Sequence, residues 1–188
     1  FIFKSFIFDI LIFGPKEEWF ITYQIFPILS PPDVEILSLT VGEQFFVHIK
    51  VSFLLGFIIA FPVVFYQLWN FIKPGLYAKE MKAARGIVFI CSFLFLAGVS
   101  FGYFIISPFA YSWLLNYTVG LEVENTTSLT SFVNYIAMFT LPTGLLFELP
   151  ILAYFLARVG LLSPGVMKSY RKHSIIGILV LAAIVTPP

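Results

Sequence analysis

The chain has 188 residues, of which 60% are hydrophobic, 19% aromatic and only 11% charged. Soluble domains carry about 25% charged residues, and a core of this size cannot hide so much apolar surface, so lipid is the main solvent. The formal net charge of +1 hides a strong segregation of charges, and the single cysteine, Cys91, excludes an internal disulfide and any cysteine metal cluster.

Residues 1–13 read as the end of a first spanning helix, with Lys4 and Asp9 placed where long or polar side chains snorkel toward headgroups. The sequence opens on Phe1 inside an apolar stretch and stops at Pro187-Pro188, so both ends read as cut. Residues 14–43 form the longest loop, interrupted by Gly14-Pro15 and Pro31-Pro32. Trp19, Phe20, Tyr23 and Phe26 make it too apolar to run free in water. It is expected to lie along the membrane surface or to cap the spans.

Residues 44–69 are the first complete span, with Pro62 predicting a kink and Trp69 an interfacial anchor. A basic loop follows at 70–85. Residues 86–115 form the next span, in which Gly98 and Gly102 stand one helical turn apart and permit close helix contact. Pro108 is expected to bend its far end, which Trp113 anchors. The short loop 116–130 holds Glu122 and Glu124 and no cation. Residues 131–157 are a third full span containing Pro142, Glu148 and Pro150. In the loop 158–173, Ser163-Pro164 reads as a helix cap followed by proline at the first helical position. The last apolar run, 174–186, reaches only about 20 Å against a hydrocarbon core of ~30 Å. Either the bilayer thins there or neighbouring helices shield its end.

Lys and Arg mark the sides. Loop 70–85 holds Lys73, Lys79, Lys82 and Arg85, and loop 158–173 holds Arg158, Lys168, Arg171 and Lys172. Loop 14–43 holds only Lys16, and loop 116–130 holds none. The positive-inside rule makes the first pair cytoplasmic and the second pair external, with the amino terminus cytoplasmic as well.

Two carboxylates stand out. Glu148 lies roughly 26 Å along its helix axis from the outer end, inside the hydrocarbon or near its inner third. A central charge there costs roughly 3 kcal/mol on insertion scales. Pro150 leaves the Leu146 carbonyl without its helical donor, and Pro142 does the same for Met138. A protonated Glu148 could donate to such a carbonyl, or the group could meet a polar group on a partner helix, or serve a proton relay. Glu80 sits among four cations in loop 70–85. It suits a solvated first helical turn, or a carboxylate grip on a cationic peptide that the loop would otherwise repel. His48 and His173 fall on opposite sides. No metal-binding histidine run, nucleophile elbow or phosphate loop occurs. The reading is accordingly no enzyme, no catalytic residue, no metal, no cofactor and no nucleic acid.

Phe71-Ile72-Lys73-Pro74-Gly75-Leu76-Tyr77-Ala78-Lys79-Glu80 resembles the first cytoplasmic loop of the TatC family, the core of the twin-arginine protein translocase. Phe71, Pro74, Leu76, Tyr77 and Glu80 all match that family's pattern. Gly102-Tyr103-Phe104 with Pro108, Phe147-Glu148-Leu149-Pro150 and Thr186-Pro187-Pro188 resemble later family motifs in the same order. Ser128 and Gly165 depart from it, standing where acids are expected.

The resemblance implies an all-α polytopic membrane protein, a six-span bundle of which about five spans are visible, the first partial and the sixth absent. It implies a receptor in a bacterial inner membrane for folded precursors with twin-arginine signal peptides. Glu80 would bind the arginine pair, and Phe71, Pro74, Leu76 and Tyr77 would shape the site. Glu148, with Pro150 beside it, would contact the single helices of TatA- and TatB-type partners. A homo-oligomer and export driven by the proton-motive force are expected. The alternative from the residues alone is a small secondary transporter that uses Glu148 as its coupling site.

Overall fold

The structure, a computed structural model, describes residues 6–16, 20–26, 35–75, 86–115, 117, 126–158 and 164–185. Lys4, Trp19, Pro31, Pro32, Glu122, Glu124, Ser163 and the terminal prolines of the sequence reading lie outside them. Helices dominate, because in lipid each backbone polar group must be satisfied within its own segment. Phe6–Ile12 is wound as a π-helix, and Gly14–Lys16 is a 3-10 turn. The α-helices are α1 (Ile21–Ile25), α2 (Glu43–Ile72), α3 (Ile87–Phe101), α4 (Ser107–Leu115), α5 (Leu129–Leu146), α6 (Leu149–Arg158), α7 (Pro164–Ser169) and α8 (Arg171–Val185). Strands β1 (Ile36–Leu37) and β2 (Thr127–Ser128) pair in parallel, Ile36 with Thr127 and Leu37 with Ser128.

Among the described residues three helical stretches are long and apolar enough to cross a membrane: Glu43–Ile72, Ile87–Leu114 and Leu129–Ala157. They overlap residues 44–69, 86–115 and 131–157 of the sequence analysis. The chain is therefore a polytopic helical membrane protein. α2 runs through Pro62 without a break. The second stretch is α3 and α4 joined by a π-helical turn, Gly102–Ile106. The third differs from the expected continuous span 131–157: it begins at Leu129 and is interrupted at Phe147–Glu148, between α5 and α6. Pro150 explains the interruption, since it has no N–H for the Leu146 carbonyl. The Glu148 amide turns back to the Leu145 carbonyl at 3.1 Å, and the Leu152 amide takes the Glu148 carbonyl at 3.0 Å. The last helix also differs: α8 takes in Arg171, Lys172 and His173, which belong to the expected loop 158–173.

Two compact units are present, one formed by Phe1–Leu55 with Val99–Thr143 and the other by Gly56–Gly98 with Gly144–Pro188. In the first unit Val47, Val51, Tyr111, Phe132, Val133 and Ile136 form the buried centre, with Ile12 against them. Tyr111 stands edge-on to Phe132 at 4.8 Å. Lipid tails are as apolar as these side chains, so close packing rather than water exclusion holds the centre together. The residues 20–26 of the long loop cap this unit: Phe20, Thr22 and Tyr23 are buried. The Tyr23 hydroxyl donates to the Pro15 carbonyl at 2.6 Å, and burial pushes that phenol up to about 12.

One carboxylate joins the segment before α2 to the start of α5. Glu43 opens α2 and is buried. Its Oε2 accepts from the Leu39 amide at 2.6 Å and the Thr40 amide at 3.3 Å, while its Oε1 accepts from the Thr130 amide at 2.8 Å. Thr130 lies in the first turn of α5, whose Ser131 amide is taken by the Ser128 hydroxyl at 3.1 Å. An anion and a serine thus satisfy donors that every helix leaves free at its start.

Candidate functional site

The second unit holds Glu148, and its surroundings grow from aromatic and glycine packing. Phe95 of α3 is fully buried and stacks on Phe61 of α2 at 3.6 Å between ring centroids, with Phe57 edge-on at 6.4 Å. Trp69 stands edge-on to Phe155 of α6 at 5.3 Å. Gly98 of α3 lets the end of α5 approach: a Cβ there would lie 2.8 Å from both Cβ and Cγ of Phe147 and 2.9 Å from the Gly144 Cα. The close contact expected from Gly98 and Gly102 is therefore real for both, since a Cβ on Gly102 would meet the Phe139 carbonyl oxygen at 2.6 Å in the first unit.

Phe147 wedges against Gly98, and Glu148 follows at the interruption between α5 and α6. Both carboxyl oxygens of Glu148 are buried and have no hydrogen-bond partner among the described residues. The Cys91 thiol and the Phe95 backbone face the group without reaching hydrogen-bonding geometry. Cys91 is buried and faces Glu148. Nothing in the spacing of two residues on different helices announced that pairing. Pro150 lies exposed in the first turn of α6. A buried polar group without a partner is costly, and a carboxyl group more so. A carboxyl group there can accept a hydrogen bond or, when protonated, donate one.

The other candidate group lies at the end of α2. Phe71 is 86% exposed, and Lys73 and Pro74 are exposed in the 3-10 turn Lys73–Gly75 that ends the helix. An apolar ring that open beside a cation and a rigid proline is a surface suited to peptide contact. Leu76, Tyr77 and Glu80, together with Lys79, Lys82 and Arg85, lie outside the described residues. Among the described residues no group of three or more His, Cys, Asp or Glu could hold a metal ion.

Fold and site together define a multi-span helical membrane protein with an unmet intramembrane carboxyl group and an exposed aromatic helix end. The sequence profile of the family described as Sec-independent protein translocase protein (TatC) matches residues 1–188. The TatC protein of Blattabacterium sp. subsp. Periplaneta americana is 36% identical over 197 residues, covering 98% of this chain and 74% of that protein. The TatC protein of Helicobacter pylori J99 is 40% identical over 153 residues, covering 81% of this chain and 61% of that protein. A crystal structure of the twin-arginine translocase receptor TatC, solved in DDM, superposes with a TM-score of 0.76 at 32% identity. It covers all of this chain and 78% of the other. The chain belongs to the TatC family. It is a protein-transport component of a bacterial membrane and works with other members of its translocase.

Proposed function

We propose that this chain is the receptor subunit that binds twin-arginine signal peptides of folded precursors at its cytoplasmic face. The observation that carries the reading is the family match across the whole chain, joined to Phe71, Pro74, Leu76, Tyr77 and Glu80 at the family's spacing. The Glu80 carboxylate accepts hydrogen bonds from the arginine guanidiniums, and a bidentate pair is stronger and more selective than a point contact. Phe71 and Pro74 give the peptide an apolar and rigid edge. Loops 70–85 and 158–173, amino terminus included, are cytoplasmic, and loops 14–43 and 116–130 are external. The cationic surplus of the first basic loop repels basic peptides that do not engage the carboxylate, which adds discrimination.

Glu148 is read as the intramembrane contact for TatA- and TatB-type single helices. Its buried, unpartnered oxygens support this, because a polar group on an arriving helix removes the cost of leaving them unpaired. Pro150 frees the backbone beside it. The receptor acts without a cofactor or covalent chemistry, as a homo-oligomer in a complex driven by the proton-motive force. The family match favours this over a secondary transporter coupled through Glu148.

Export of a folded reporter carrying a twin-arginine signal, in cells whose own receptor gene is deleted, tests the reading. Glu80→Gln keeps size and shape but removes the charge. It is expected to reduce export at least about tenfold while the chain still inserts, as loss of one charge-assisted interaction implies. Wild-type export by that variant contradicts the assignment.

A further inference from the structure

Lys50 lies on α2, seven residues past Glu43, and its ammonium donates a hydrogen bond to the side-chain oxygen of Asn134 on α5. Both residues belong to the first unit and both are exposed. The Glu43 bond to Thr130 ties the first turns of these two helices together, so the pair shares one level. α2 is about 45 Å long, some 15 Å more than the hydrocarbon core, so its ends protrude when it is centred. Lys50 is about 10 Å from the helix start, so its backbone lies roughly 3 Å inside the hydrocarbon boundary. Its side chain reaches back toward the helix start to meet Asn134, which is how a lysine snorkels. An ammonium carries three donors, and Asn134 takes one. No ion pair compensates the charge among the described residues. Phe46, Ile49 and Phe53, all exposed, surround it with apolar surface.

We propose that Lys50 and Asn134 form a binding site for the phosphodiester of a membrane phospholipid. A phosphodiester is an anion that only accepts hydrogen bonds, and it lies at the depth the snorkelling ammonium reaches. Charge complementarity selects it over an uncharged headgroup, and the exposed ring of Phe53, on the deeper side of Lys50, lies where its acyl chains run. Asn134 fixes the ammonium in place, so little side-chain freedom is lost on binding. A lipid held there presses on the two helix starts that Glu43 joins. The site is independent of which face of the membrane that end occupies, and independent of signal-peptide binding.

Native mass spectrometry of the full chain in detergent, titrated with phosphatidylglycerol and with a glucosyl-diacylglycerol of the same acyl chains, tests the site. The wild type is expected to hold one phosphatidylglycerol about tenfold more tightly than the glycolipid, the scale of one charge-assisted hydrogen bond. Lys50→Met is expected to erase that preference and Lys50→Arg to keep it. Asn134→Asp supplies an internal carboxylate to Lys50 and is expected to lower retention while circular dichroism shows the helices intact. Equal phosphatidylglycerol retention by the wild type, Lys50→Met and Asn134→Asp overturns the proposal, as does equal retention of the glycolipid by the wild type. Loss of a co-purifying protein rather than of lipid in Lys50→Met also overturns it, and assigns the site to a partner helix.

Discussion

Gly98 and Gly102 show how single residues set what the helices can do. At Gly98 a methyl group meets both a side chain, Phe147, and the Gly144 backbone; at Gly102 it meets the carbonyl oxygen of Phe139 and the Thr140 Cα. The Phe147 Cβ moves only with its own backbone, so neither clash is relieved by rotating a side chain, and Gly98→Ala and Gly102→Ala are both expected to destabilise. Overpacking of this kind costs about 1–3 kcal/mol. Gly56 faces open space on α2, and Gly56→Ala is expected to be neutral or to stabilise by up to about 1 kcal/mol through helix propensity. Thermal unfolding of the purified variants checks this: Gly56→Ala at or above wild type, Gly98→Ala and Gly102→Ala both below it. Gly98→Ala also displaces Phe147, and with it the neighbour that carries the buried carboxyl group. The spacing of the two glycines was legible in the sequence. Their individual partners were not, because a small residue records only that something comes close.

The π-helical turn Gly102–Ile106 has a local cause that runs through one carbonyl. Pro108 cannot donate to the Phe104 carbonyl, and the Thr22 hydroxyl of α1 donates to it instead. Phe20 packs beside it, stacked on Phe104 and edge-on to Tyr103. The Tyr103 hydroxyl in turn donates to the Leu11 carbonyl at 2.6 Å. The proline-freed acceptor thus docks the capping segment onto the span. Thr22→Val keeps the shape, removes the donor and leaves that carbonyl unpaired, which costs about 1–3 kcal/mol. Hydrogen exchange of residues 20–26 is expected to speed up, with α5 unchanged; unchanged protection of 20–26 contradicts the docking role. The sequence showed Pro108 and the apolar content of the loop, so a disturbed helix and a cap were both legible. That Thr22 supplies the missing donor was not, since 86 positions separate it from Pro108. The interruption at Phe147–Glu148 was half legible in the same way. Pro150 announced a lost hydrogen bond, but whether a helix continues through such a gap, as α2 does at Pro62, or stops depends on the packing around it.

At the scale of the molecule, the charge segregation and the helix ends have to agree. The three long apolar stretches were plain from composition because a bilayer leaves few other ways to satisfy a backbone. Sidedness rests on Lys and Arg alone. With Cys91 replaced by Ala, single cysteines at Lys73 and Lys172 are expected to react with a membrane-impermeant maleimide only when the cytoplasmic face is open; reaction from opposite faces contradicts the arrangement. The receptor reading makes one further demand, that arginine pairs be told from lysine pairs. The planar guanidinium offers a forked set of donors and the ammonium does not. The most direct measurement is the affinity of a fluorescent signal peptide for the full-length protein in lipid nanodiscs, with its arginine pair or with two lysines, for wild type and Glu80→Gln. The account predicts that the wild type binds the arginine peptide at least about tenfold more tightly and that Glu80→Gln loses this preference. Equal affinity of the wild type for both peptides, or an undiminished preference in Glu80→Gln, contradicts it.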